Sequence, residues 1–191
     1  GTLHILVPDA DYSQVFAGQD LGALAILGLE GSGQVWIGVE AGQLSAATVE
    51  FDVPGLTISG KRREQARQTE SEQLGLTNLK GMARLSHNSE ESVWELALAN
   101  MSVTYRSDSW QSFNAHVLFT PDQLVEIAAD YLDLGLLALL AGDSGVLPYD
   151  AAIDLKGLNP DGYLQNVSLS LPVSEAAGRP LTLKTNIADL Q

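Results

Sequence analysis

Apolar residues recur at every second position through most of the segment from Glu91 to Gly142, and that period most constrains what the chain can fold into. Trp94, Leu96 and Leu98 alternate with Glu95, Ala97 and Ala99. After the polar turn Arg106-Ser107-Asp108-Ser109, Phe113, Ala115, Val117 and Phe119 resume the pattern. A second break at Thr120-Pro121-Asp122 leads into Val125, Ile127, Ala129 and Tyr131, set against Leu124, Glu126, Ala128 and Asp130. Side chains of an extended chain point alternately to opposite sides. Runs of this length, parted by short polar breaks, therefore predict neighbouring antiparallel strands with one greasy face. The period then changes: Leu134, Leu136, Leu137, Leu139 and Leu140 suit a short helix, with Asp133 as N-cap and Gly142 as stop. The unit reads as a three-strand meander followed by a short apolar helix that lies on the sheet.

The flanks extend the same theme. Thr2–Pro8 is a short strand ending at a Pro-Asp turn, and Asp11–Gly28 is more helix-like, with Val15, Phe16, Leu21, Leu24, Ile26 and Leu27 as its apolar set. Val35, Ile37 and Val39 alternate against Trp36 and Gly38 up to a hairpin turn at Ala41-Gly42-Gln43. Val49, Phe51 and Val53 follow, and Leu56 and Ile58 continue the strand past Pro54. Lys61–Gln73 carries four of the ten basic residues without apolar periodicity and reads as an exposed loop. Leu74–Leu85 is strand-like, interrupted at Gly81. Beyond the central unit come Ala151–Lys156, a Gly-Leu-Asn-Pro-Asp-Gly turn, Tyr163–Leu171, a Gly-Arg-Pro turn and Leu181–Leu190. The phrase Asp20–Gly28 is echoed by Asp133–Ala141, each soon followed by a Ser-Gly pair. Residues 1–191 thus read as one β-rich segment with a weak internal repeat over 20–60 and 133–172. Because the first residues already alternate, the chain reads as a piece of a longer protein.

Composition bears on function mainly by exclusion. A net charge of −14 disfavours nucleic acid or an anionic membrane surface as the main partner. Zero cysteines leave no disulfide framework and no thiolate zinc site, in keeping with an oxidising compartment. No apolar run reaches the roughly 18 residues of a membrane-spanning helix. The three histidines, His4, His87 and His116, stand far apart, His87 in a Ser-His-Asn-Ser turn and His116 on the polar face. No Gly-x-Ser-x-Gly occurs, and Gly31-Ser32-Gly33 lacks the lysine of a phosphate loop. Asp9, Asp11, Glu90 and Glu91 read as turn residues. A calcium site at Asp9-Asp11 or Asn159-Asp161 would lack the EF-hand spacing. Asn100-Met-Ser and Asn166-Val-Ser match a glycosylation sequon by chance, and Lys61-Arg62-Arg63 reads as solvated, with headgroup contact as the alternative. The expectation is a protein without enzymatic activity, metal or cofactor.

The order of three phrases carries a resemblance. VWELALANMSV, then AADYLDLGLLALL, then LKGLNPDGYLQNVSLSL together resemble the YhdP-type members of the AsmA-like superfamily, and GQVWIGVEAGQLSAATVEFDVPGLTIS resembles their recurring hairpins. The resemblance covers most of residues 31–190; Lys61–Gln73 has no counterpart in it. It implies an internal fragment of a large periplasmic protein, anchored in the inner membrane of a Gram-negative bacterium. In such a protein a long twisted β-sheet forms an open apolar groove that carries phospholipid toward the outer membrane.

The fold expected is therefore mainly β: an extended, curved antiparallel sheet, an open groove or half-barrel, with one or two short apolar helices. The residues expected to line the groove and meet phospholipid or acyl chains are Val49, Phe51, Trp94, Leu96, Leu98, Val117, Phe119, Val125, Ile127, Val167, Leu169 and Leu171. The alternative for each is ordinary core, since any β-sandwich turns apolar residues to one side. The runner-up function is accordingly a structural or adhesion-like β-sandwich module with no ligand. Open edge strands would favour self-association.

Overall fold

The computed structural model describes residues 1–16, 20–21, 24–40, 42–60, 73–88, 92–119, 124–144, 149–172 and 182–188. Their strands are β1 (Thr2–Asp11), β2 (Asp20–Leu21), β3 (Leu24–Glu40), β4 (Gln43–Gly60), β5 (Gln73–Asn88), β6 (Val93–Tyr105), β7 (Asp108–Phe119), β8 (Leu124–Asp133), β9 (Tyr163–Pro172) and β10 (Thr182–Ala188). The helices are α1 (Ser13–Phe16), α2 (Leu134–Asp143) and α3 (Tyr149–Leu158). All strands join one antiparallel sheet in the order β1-β3-β4-β5-β6-β7-β8-β9-β10, with the two-residue β2 beside β3. The sheet is open, not closed into a barrel, and β1 and β10 are its edges among the described residues.

The central meander and helix form as their period dictates. β6, β7 and β8 pair in sequence, and the Asp133 carboxylate accepts from the Leu136 N–H at 2.9 Å to cap α2. The helix runs one residue past Gly142, to Asp143, with Ser144 as C-cap. The echo phrase Asp20–Gly28 behaves differently. Leu24 to Gly28 belong to β3, paired with Gly60 to Thr57 of β4, and among the described residues of the helix-like stretch only Ser13–Phe16 is helical. A neighbouring strand with free backbone groups decides between strand and helix where an apolar run is short and both are open to it. Ala151–Lys156 lies inside α3. The Lys61–Gln73 tract falls outside the described residues except for Gln73, which begins β5. β1 runs on through the expected Pro-Asp turn, so Asp9 and Asp11 are strand residues, Asp11 pairing with Glu30, rather than turn residues. The Asp11 carboxylate accepts from the Ser13 N–H at 2.8 Å, and hydrogen bonds from Ser13 hold its pKa below the usual value. His87 lies in β5 rather than in a turn.

Three strands change phase at an asparagine with left-handed backbone: Asn78 in β5 (φ 51°), Asn100 in β6 (φ 53°) and Asn166 in β9 (φ 50°). An extra residue at that point returns the following side chains to the same face. In β6 the apolar series Trp94, Leu96, Leu98 therefore resumes as Met101, Val103 and Tyr105. The Asn100 N–H is taken by Asn114 Oδ1 at 3.0 Å. Asn114 in turn donates its N–H and Nδ2 to the two Asp130 carboxylate oxygens at 2.8 and 2.7 Å.

Opposite this bulge, Gly81 has φ +152°, and a Cβ there would stand 2.5 Å from Met101 Sδ and 3.2 Å from the Ala99 carbonyl. Gly81→Ala is expected to cost about 1–3 kcal/mol in urea unfolding. Gly75→Ala, in the same strand with nothing within 4 Å, should leave the midpoint nearly unchanged. Equal losses would mean that crowding at Gly81 is not what restricts it.

The core sits at one end of the sheet. Leu74, Val103, Tyr105, Trp110 and Leu136 form a buried cluster joined by Ile58, Leu76, Leu79, Phe113, Tyr131 and three further leucines. Leu136 thus brings α2 down onto the face that Val103 and Trp110 present, while α3 packs on α2.

Candidate functional site

Residues paired directly across an antiparallel ladder share a face, so the register sorts every side chain. One line across eight strands reads Leu3, Ile37, Ala47, Leu85, Leu96, Val117, Ile127 and Leu169. Its parallel neighbour reads Ile5, Val35, Val49, Ala83, Leu98, Ala115, Ala129 and Val167. Both lines are wholly aliphatic. The line between them, on the opposite face, reads His4, Trp36, Thr48, Arg84, Ala97, His116, Ala128 and Ser168.

Eleven of the twelve groove residues expected from sequence fall on the apolar face together. Leu96, Val117, Ile127 and Leu169 lie in the first line, and Val49, Leu98 and Val167 in the second. Trp94, Phe119 and Val125 form a third line toward the hairpin tips, and Phe51 pairs with Gly81 toward the bulge. Leu171 pairs with Val125 through its backbone; its side chain lies outside the described residues. Sequence reasoning passed over Leu3, Ile5, Val35, Ile37 and Leu85, which complete the lines, and Met101 and Val103 beyond the Asn100 bulge. Asparagine at each phase change was the available signal.

Among the described residues no second layer covers this face through most of its length: α1 packs on β3, and α2 on the core end of β5 to β9. Exposure rises away from α2. Val103 and Trp110 are 8% and 7% exposed, whereas Trp94 and Phe119, paired at the hairpin tips, are 36% and 43% exposed. His87 pairs with Trp94 and stacks on its indole, centroids 4.5 Å apart. Val39 and Leu44 are exposed at the neighbouring tip.

The polar face has its own relief. A hollow of about 840 Å³ opens over β1, β3, β4, β5 and β6, walled by Leu6, Gln34, Glu50, Asp52, Lys80 and Met82 among others. Lys80 and Asp52, directly opposite in the ladder, close a 2.8 Å ion pair there with both side chains half exposed. Of the twelve expected groove residues only Phe51 borders this hollow. The histidines do not converge. His4 stacks on Trp36 with its Nε2 3.2 Å from Gln34 Oε1, and His116 Nε2 lies 3.5 Å from Glu95 Oε1. Among the described residues no three acidic, histidine or cysteine side chains are placed to share a metal ion.

The closed end carries the one buried carboxylate described. Tyr105 donates its hydroxyl to Asp143 Oδ2 at 2.6 Å, and Arg106 Nη2 donates to the same oxygen at 2.9 Å. Burial, then the bond to Asp143, pushes the Tyr105 pKa up; burial and the Asp133 carboxylate do the same to Tyr131. A pKa raised on folding gives stability that is whole below the unfolded value, about 10, and is lost as pH climbs through the folded value. The melting temperature is thus expected to fall steeply above pH ~10. Tyr105→Phe should start lower and fall less. An equally steep decline in that variant would assign the alkaline loss to other groups.

Among the described residues no helix is long and apolar enough to cross a membrane. Set against protein-family models, curated proteins and solved structures, the chain matches none.

Proposed function

We propose that this chain is a non-enzymatic segment of a periplasmic lipid carrier, along whose apolar face phospholipid moves between inner and outer membranes with its acyl chains out of water. The observation that carries the proposal is the pair of aliphatic lines running across eight strands on a face that α2 covers only at one end. Each methylene taken from water is worth about 0.8 kcal/mol, so a 16-carbon chain costs on the order of 12 kcal/mol to expose. A path between membranes must replace the bilayer without interruption. Eight strands at ~4.8 Å spacing make a line roughly 34 Å long, more than twice the ~15 Å hydrocarbon depth of one leaflet. That is the proportion of a track rather than a pocket for one molecule. The order of the three sequence phrases supports the same assignment.

Native mass spectrometry of the gently purified protein, with organic extraction of what travels with it, tests the proposal. Phospholipid at a defined stoichiometry is the expected result. A protein that arrives empty, and takes up neither labelled phospholipid nor fatty acid, overturns it in favour of a structural β-module.

A further inference from the structure

The apolar face differs at its two ends along the strand direction. At the hairpin tips Trp94 and Phe119 are partly open to water, with the His87 ring stacked on Trp94. At the far end Leu136 of α2 seals the strip against Val103, Tyr105 and Trp110, with Leu74 only 2% exposed. Aromatic rings with a polar edge settle where apolar medium meets water, so the Trp94 end has the chemistry of an interface and the Leu136 end that of an interior. From Trp94 to Met101 the strip runs roughly 20 Å at ~3.3 Å per residue, enough for the ~15 Å of hydrocarbon that one leaflet contributes.

We infer that a bound phospholipid lies along the strands, its headgroup at the Trp94–Phe119 rim and its chain ends toward α2, so that successive lipids stand side by side across the sheet. This rests on the lipid-carrying function proposed above and adds the direction in which each lipid lies. Charge narrows the headgroup. Arg84, Lys80 and Lys184 share ladder positions with Thr48, Asp52 and Ser168, on the polar face, and Arg106 is held by Asp143 at the closed end. No described lysine or arginine side chain therefore faces the strip, and the chain as a whole carries −14. A zwitterionic headgroup meets no repulsion there; an anionic one does.

The chain's three tryptophans sit where the test needs them: Trp94 at the rim, Trp110 at the closed end and Trp36 on the polar face. Among the described residues Trp110 Nε1 has no hydrogen-bond partner, so Trp110→Phe orphans none of them. The probes are phosphatidylcholines brominated near the ester or near the methyl end of the acyl chain, loaded into the whole chain. Loading is confirmed by native mass spectrometry. In Trp36→Phe/Trp110→Phe protein, the ester-end bromine is expected to quench Trp94 at least twofold more than the methyl-end bromine. In Trp36→Phe/Trp94→Phe protein the order reverses at Trp110. Equal quenching at Trp94, or the reverse order, overturns the inference while lipid carriage stands, because it places chains across the strands or turned about. Protein that takes up neither probe overturns both.

Discussion

Leu96→Asp is expected to strip bound phospholipid from the protein more than tenfold while leaving the sheet folded, and Ile127→Asp to do the same. Both residues lie in the middle of one aliphatic line, joined through Val117, and both are half-buried rather than sealed. A carboxylate there keeps its water and breaks the apolar path. Holding even two methylenes of a chain away costs about 1.6 kcal/mol, roughly fifteenfold in affinity. The cost to folding is smaller. Aspartate in a partly solvated strand position gives up about 1 kcal/mol of strand preference, some 2–4 °C of melting temperature for a chain of this size. If the face were instead packed core, an unpaired buried charge would cost more than ~4 kcal/mol and the chain would lose its cooperative transition. Lipid content by mass spectrometry and melting by calorimetry, taken on the same sample, separate the two.

At the other end of the sheet the balance reverses. Leu136→Ala is expected to destabilise by about 2–5 kcal/mol, because Leu136 fills the centre of the buried cluster at 4% exposure and the cavity left behind is walled by strands that cannot close in. Its neighbour Leu137 is 41% exposed, and Leu137→Ala should cost under ~1 kcal/mol. A similar loss from both variants in chemical unfolding would show that α2 is held by helix propensity rather than by docking on the sheet.

Much of this architecture was legible in the sequence, for a physical reason. Side chains alternate in a strand whatever it pairs with, so the facing of Trp94, Leu96 and Leu98, or of Val125 and Ile127, follows from spacing alone. Asp133 before a leucine run marked the helix start just as plainly. Two features escaped. Leu24 to Gly28 matches the phrase that becomes α2, yet pairs with β4; the choice was made by a partner thirty residues away, beyond what a local pattern encodes. The phase changes at Asn78, Asn100 and Asn166 were the other. A single inserted residue reverses the facing of all that follow, so the apolar series in β6 reads as ending at Leu98 when it continues through Met101 and Val103. What the face touches was not legible at all, because a groove and a half-exposed core use the same residues.

Among the described residues each strand from β3 to β9 hydrogen-bonds only to its neighbours in the chain, save for the two-residue β2. A sheet wired in this way is quasi-one-dimensional: its stability is close to a sum of strand terms and nearest-neighbour interfaces, as in repeat proteins. Duplicating one hairpin would then lengthen the sheet by two strand spacings, roughly 10 Å, without altering a register elsewhere. Span becomes a quantity that evolution or a designer can adjust one hairpin at a time, with no new core to invent at each step.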